Sequence, residues 1–356
     1  MNGQSFTPVE ASLVFEGQTV GSFVSQWGAK VALDDIRQVV LAAREGGTRK
    51  VILGGHSMGA VTTPTYAAWD FDGHPGYADL EALVLIDGGQ FDAFAKFLVG
   101  TPFEKPWTTV AQAEAAIAGL VSAPFGLAGA PLPDGIELWM VGVLTEIGCQ
   151  YALRDPQDFS VFWLVAELLP AGLLPPGLLP DSPITNEAFM GLLFTSSESM
   201  LAALHVDVGH LVESGFPWSW HNGPRATVPE VCRTFTHEPG NGLEWYYPLR
   251  LDMDLLLALG TLQPTPVTEA LGLRPYHLKD VNLPLYAFET GLSQGDVLRA
   301  AGRLIAASKI HRAELWSDST MGHFDPLADT PDLNLFVQTV VPFLTEITTG
   351  LVSAGP

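Results

Sequence analysis

Residues 51–60 read VILGGHSMGA, an apolar run of strand type that breaks into glycines and delivers Ser57 with a glycine two residues away on either side. A chain passing from strand to helix through so sharp a turn forces unusual backbone angles on the central residue. A side chain at Gly55 or Gly59 is expected to collide with the neighbouring strand or helix. Ser57 is therefore presented rather than packed. The helix that begins just after it aims free N–H groups at the same point, so negative charge developing there is stabilised by the Met58 amide and the helix dipole. Val51, Ile52 and Leu53 suit a strand buried on both faces, and Ala60 through Tyr66, Ala67, Ala68 and Trp69 continue as helix.

Working outward, Val31, Ile36, Val39, Val40 and Ala43 recur at helical spacing over 27–45, and Gly46-Gly47 supply a stop. After the turn helix, the loop DFDGHPGYAD leads into ALVLI at 82–86, a second apolar run of strand length that ends at Asp87-Gly88-Gly89. Strand, helix, strand predicts a parallel sheet with right-handed crossovers, in which reactive groups gather at the carboxyl ends of the strands. Further strands are predicted over 283–288, LPLYAF, terminating at Glu289, and over 313–317, AELWS. A helix is expected over 297–308 and another over 333–347. His323 lies in the loop DSTMGHFDP before the last helix.

Between these stretches, residues 91–280 break the alternation with helical segments punctuated by Pro-Gly-Leu clusters. FSVFWLVAELLPAGLLPPGLLP at 159–180 is very apolar, and PWSW at 217–220 and EWYYP at 244–248 add aromatics. The expected architecture is therefore two sheet-forming segments, 1–90 and 281–356, with 91–280 inserted as a large, mainly helical cap. The cap's aromatics form its own core, or together shape an apolar pocket over the strand ends.

Composition narrows the function. A net charge of −22 with only 17 Lys plus Arg repels phosphate backbones and anionic lipid headgroups, so nucleic acid is not an expected partner. Apolar residues reach 47% against 16% charged, which marks a folded chain with greasy surfaces suited to lipophilic ligands. Cys149 and Cys232 lack metal-type spacing and read as two buried thiols or one disulfide. No basic segment followed by an apolar stretch opens the chain, and no run reaches the ~18 residues of a membrane helix. The expectation is a soluble, cytoplasmic protein without stable membrane insertion.

A serine hydroxyl is a poor nucleophile at neutral pH. It needs a base within hydrogen-bond reach and a carboxylate that holds the base in one tautomer. His323 is the candidate base, because a loop after the last strand lets it swing over the sheet edge. The other histidines read as surface or satisfied polar groups. Glu289, closing the penultimate strand, is the first candidate for the acid and keeps the chain order serine, acid, histidine. Asp87 is the alternative, although an aspartate before Gly-Gly is also an ordinary turn-former. Asp296, Asp318 and Asp325 remain outside candidates, for which capping and turn formation are an adequate explanation.

With GGHSMG at 54–59, LVLIDGG at 83–89, PLYAFETG at 284–291 and GHFDPL at 322–327, the chain resembles the alpha/beta-hydrolase superfamily over its first 90 and last 75 residues or so. The resemblance implies a Ser-His-acid triad on Ser57, His323 and Glu289 or Asp87, and an oxyanion hole that uses the Met58 amide. It also implies a lipophilic carboxylic ester as substrate, with no metal or organic cofactor. Thioester or lactone cleavage on the same residues, or a catalytically impaired protein binding an apolar ligand, are the rival readings. One departure stands out. The family places several strands before the turn, one followed by a loop that donates the second oxyanion-hole amide, whereas 56 residues precede Ser57 here and only 12–15 read as strand. Either the chain starts late or it is a shortened variant. Gly17 and Gly21 are possible substitutes for that donor. Loss of one such donor costs about 2.7–4 kcal/mol of barrier, or ~100 to 1000-fold in rate.

Overall fold

The computed structural model describes residues 19–121, 138–166, 169, 174, 177–196, 206–236 and 248–350. It contains two compact units: Met1–Gly129 with Tyr247–Ser319 and Thr339–Pro356, and Ala130–Tyr246 with Thr320–Gln338.

The first unit is α/β. Its sheet has four parallel strands, β1 (Ile52–His56), β2 (Ala82–Ile86), β3 (Leu285–Thr290) and β4 (Ala313–Asp318), in that spatial order. Register runs from Ile52 opposite Ala82 to His56 opposite Ile86, from Leu83 opposite Leu285, and from Leu285 opposite Ala313. Parallel neighbours require crossovers. Helix α1 (Ala29–Ala43) precedes β1, α2 (Met58–Ala68) links β1 to β2, and α3 (Asp296–Ala307) links β3 to β4. All five side chains of β2 and all six of β3 are buried, as their continuous apolar runs require. β1 differs from the doubly buried strand expected from its sequence. It is the sheet edge among the described residues, and its side chains are only partly covered. The stretch 12–15, read as a possible earlier strand, lies outside the described residues, as does Gly17. Gly21 falls in a 3₁₀ helix, Thr19–Gln26.

Helix α2 is buried along its whole length from Ala60 to Ala68. Its polar side chains survive there because the hydroxyls of Thr62, Thr63 and Thr65 donate to the carbonyls of Met58, Gly59 and Val61, four residues back, at 2.8–2.9 Å. Helix α1 is capped from afar. The Ala29 N–H donates to Asp254 Oδ2 at 2.9 Å, and Arg250 Nε donates to the other oxygen at 2.7 Å. Gly28 has no room for a Cβ beside that carboxylate. Burial raises the Asp254 carboxyl pKa, opposed by Arg250 and the Ala29 amide.

The second unit packs helices Leu138–Arg154, Asn186–Thr195 and Val228–Phe235 with the hairpin Gly209–Val212 and Ser219–Asn222. Phe189, Met190, Phe194, Trp220 and Phe235 share one core with the buried, free thiols of Cys149 and Cys232. Trp220 lies against Gly191, where no side chain fits. This tryptophan of the PWSW motif is thus a core residue of its own unit. EWYYP lies outside the described residues except for Pro248, as does part of 159–180.

These units divide the chain differently from the boundaries read in the sequence. Within 91–280, residues 91–129 and 247–280 count with the sheet. The Phe91 N–H donates to Gly260 O and the Trp107 N–H to Leu257 O, both at 3.0 Å. Phe94, Leu98 and Phe103 join Leu255 and Leu257 in the core of the first unit. Among the described residues, no helix is long and apolar enough to cross a membrane.

Candidate active site

Ser57 occupies the turn between β1 and α2 with φ 56° and ψ −120°. Only a few per cent of non-glycine residues adopt positive φ, and such strain costs of order 1–3 kcal/mol, so the surrounding structure has to impose it. The clamps are visible. The Ser57 N–H donates to Ile86 O at 3.0 Å, extending the β1–β2 ladder by one bond, while its carbonyl accepts from Ala60 N at 2.9 Å and Val61 N at 3.3 Å as the first acceptor of α2. Strand and helix both claim the residue, and the angles follow.

The glycines around it are required for different reasons. A Cβ on Gly55 would overlap the Gly59 carbonyl group, and one on Gly88 would overlap the Ser57 carbonyl oxygen. Gly59, expected to be crowded, has nothing within 4 Å of such an atom. Its site points to open space, and the collision lies at Gly55, with Gly59 as the backbone that is struck. Gly88 was not singled out by the turn motif, although its place just after the apolar run of β2 marks a close backbone approach. Met58 is the first residue of α2, whose leading N–H groups have no partner within the helix.

The two carboxylate candidates belong to the same unit as Ser57. Asp87, fully buried at φ 44°, closes β2. Its Oδ1 accepts from Thr290 N at 2.9 Å and its Oδ2 from the Thr290 hydroxyl, which ties the ends of β2 and β3 together. Glu289 lies within β3, one residue before its end, and is 4% exposed. Its Oε1 accepts from Gly295 N and its Oε2 from Leu298 N at 2.7 Å, so it caps the start of α3, where the helix dipole favours negative charge. An ionised carboxylate offers about four acceptor sites, and the two amide bonds to Glu289 occupy two of them. Position in the chain exposed the two acids as strand-end residues. Their capping and strand-tying bonds carry no local sequence signal.

His323 belongs to the second unit and is 5% exposed. Its loop is closed reciprocally: the Gly322 N–H donates to Asp325 Oδ2 at 2.6 Å, and the Asp325 N–H returns to Gly322 O at 3.2 Å. Phe324 stacks on Phe235 at 5.6 Å between ring centroids. Asp325 therefore has the turn-forming place expected of it. Nearby, burial and the Asp325 carboxylate push Asp329 up to about 6, against its ion pair with Arg225 Nη1 at 2.9 Å. Elsewhere, His74 pairs with Asp79 and His277 with Asp70 at 2.9 and 3.0 Å, the satisfied polar roles expected for them. His205 and His237 lie outside the described residues. Among the described residues, no group of three or more His, Cys, Asp or Glu is placed to hold a metal ion.

No protein-family model matches the chain, and no curated protein matches it. Among solved structures, it is similar to a crystal structure from Sulfolobus solfataricus described as a putative lipase, at 15% identity and a TM-score of 0.46 over 91% of this chain and 67% of that one.

Proposed function

We propose that the protein is a serine hydrolase of alpha/beta-hydrolase type that cleaves carboxylic esters with hydrophobic acyl or alcohol groups. The observation that carries this reading is the backbone of Ser57: a strained serine at a strand-to-helix turn, held by main-chain bonds from both sides, at the amino end of a buried helix. Strained residues of this kind cluster at active sites, ligand clamps and switch regions.

In this reading Ser57 Oγ attacks the ester carbonyl while His323 takes its proton. The negative oxygen of the tetrahedral intermediate is stabilised by the Met58 N–H and the α2 dipole. His323 then protonates the leaving alcohol, and water, deprotonated by the same imidazole, releases the acid and restores the serine. Glu289 is assigned as the acid that orients His323, with Asp87 as the alternative. The role of His323 is supported by its place late in the chain, after the last strand, and by the closed turn that fixes its main chain. Part of the excursion between β2 and β3 would serve as a cap.

Labelling with a fluorophosphonate tests the assignment. A single adduct on the peptide carrying Ser57, abolished in His323→Ala, is expected. An unlabelled Ser57 in folded protein would contradict the proposal.

A further inference from the structure

We propose that a recess in the first unit, between residues 89–107 and 256–265, binds a compact, uncharged apolar molecule of about the size of one aromatic ring. The proposal does not rest on the hydrolase reading, since Ser57 is not among the lining residues.

The cavity has a volume of about 250 Å³ and is walled by Phe94, Leu98, Phe103, Trp107, Leu256 and Leu257. A dry apolar cavity of about 150 Å³ is enough to take benzene. Collapse is prevented by the backbone. The two segments that form the walls are cross-linked by the Phe91 to Gly260 and Trp107 to Leu257 main-chain bonds, and four of the six wall side chains belong to the unit's core. The frame is also irregular. Leu256 and Leu257 come from a π-helical turn, Met253–Ala258, and Phe91, Asp92 and Leu262 have φ of 60°, 66° and 51°. Widened turns and strained residues concentrate at ligand sites.

Charge selects the occupant. No Lys, Arg or His lines the recess, while Asp92 and Glu104 do. Four of the polar side chains at the wall have local bonds: Gln90 Nε2 donates to Thr65 Oγ1 and Leu255 O, Asp92 pairs with Arg303, Glu104 accepts from Gly100 N, and Thr265 Oγ1 accepts from Thr268 N. An anionic ligand would lose its hydration and gain no counter-charge. A neutral ring loses little and gains contact with the apolar side chains that form part of the lining, beside its polar groups.

Thr261 lines the recess and is exposed, and the native thiols are buried. A Thr261→Cys variant therefore offers one reactive probe, followed by mass spectrometry during modification with a methanethiosulfonate reagent. Benzyl alcohol is expected to slow modification saturably by ~5-fold or more, benzoate at equal concentration to have no effect, and a control Thr345→Cys, at an exposed position of the last helix, to be insensitive to both. In wild-type protein, saturation-transfer NMR should show benzyl alcohol bound and benzoate free. No slowing and no transfer with benzyl alcohol, or equal effects of the two probes, would overturn the proposal.

Discussion

Asp87 and Thr290 are joined twice: the Thr290 N–H donates to one carboxylate oxygen at 2.9 Å and its hydroxyl to the other. Both residues are buried, and they bring the carboxyl ends of β2 and β3 together beside the Ser57 turn. In Thr290→Val, the buried Asp87 carboxylate loses the hydroxyl bond to one of its oxygens. Loss of a hydrogen bond to a charged group costs about 1.5–3 kcal/mol. The urea midpoint should fall accordingly, and an unchanged midpoint would remove the tie from the account.

Glu289 and Asp87 separate on function. Glu289→Gln should lower kcat on a p-nitrophenyl ester by ~100-fold or more, in keeping with loss of the charge that orients a catalytic imidazole, whereas Asp87→Asn should act chiefly on stability. Because Glu289 also accepts the Gly295 and Leu298 amides, both variants need a parallel denaturation curve. The opposite ranking of kcat would move the acid to the end of β2.

The two glycines flanking Ser57 should behave oppositely. At Gly55 a methyl group meets the Gly59 backbone, so Gly55→Ala should cost about 1–3 kcal/mol, the usual range for forcing atoms into packed space. Gly59 sits in the first turn of α2 with open space around it, and alanine favours helix by up to about 1 kcal/mol. Gly59→Ala should fold at least as well as wild type. Equal losses in both variants would contradict the geometry of the turn.

Asp329 supplies a pH dependence with a definite sign. Its carboxyl is raised to about 6 by burial and by the charges of Asp325 and Asp207, with Arg225 opposing, whereas an unfolded aspartate titrates near 3.9. Between about pH 4 and 6 the unfolded chain has released a proton that the folded one keeps, so stability from this group declines as pH rises through that window. Asparagine imitates the protonated acid. Asp329→Asn should match wild type near pH 4 and gain on it up to pH 6, by no more than about 3 kcal/mol, with the difference constant above. A thermal-midpoint difference that is flat across pH 4–7 would refute this.

The sheet was legible because its strands are continuous apolar runs. ALVLI forms β2 residue for residue, and AELWS falls one residue short of β4. LPLYAF is shifted by two, because Glu289 and Thr290 extend β3 while Pro284 stays outside it. α1, α3 and the last helix, Leu335–Thr349, depart from their expected bounds by one or two residues. Less was legible where partners are distant in sequence. The Asp254 cap of α1 spans 225 positions and the Asp87 link to Thr290 spans 203. No local pattern encodes either bond. The edge position of β1 was hidden for a similar reason, since VIL reads the same whether a strand has one neighbour or two. At the candidate site, the strained turn followed directly from the G-x-S-x-G spacing. The structural bonds of the two acids did not, because a carboxylate at a strand end suits capping as well as catalysis.

The most direct test is the rate at which wild type and Ser57→Ala hydrolyse p-nitrophenyl esters of increasing acyl length. The account predicts measurable turnover by wild type on the longer, apolar esters and its loss in a folded Ser57→Ala protein. Equal rates for the two proteins at every chain length would mean that the strained serine is not the nucleophile.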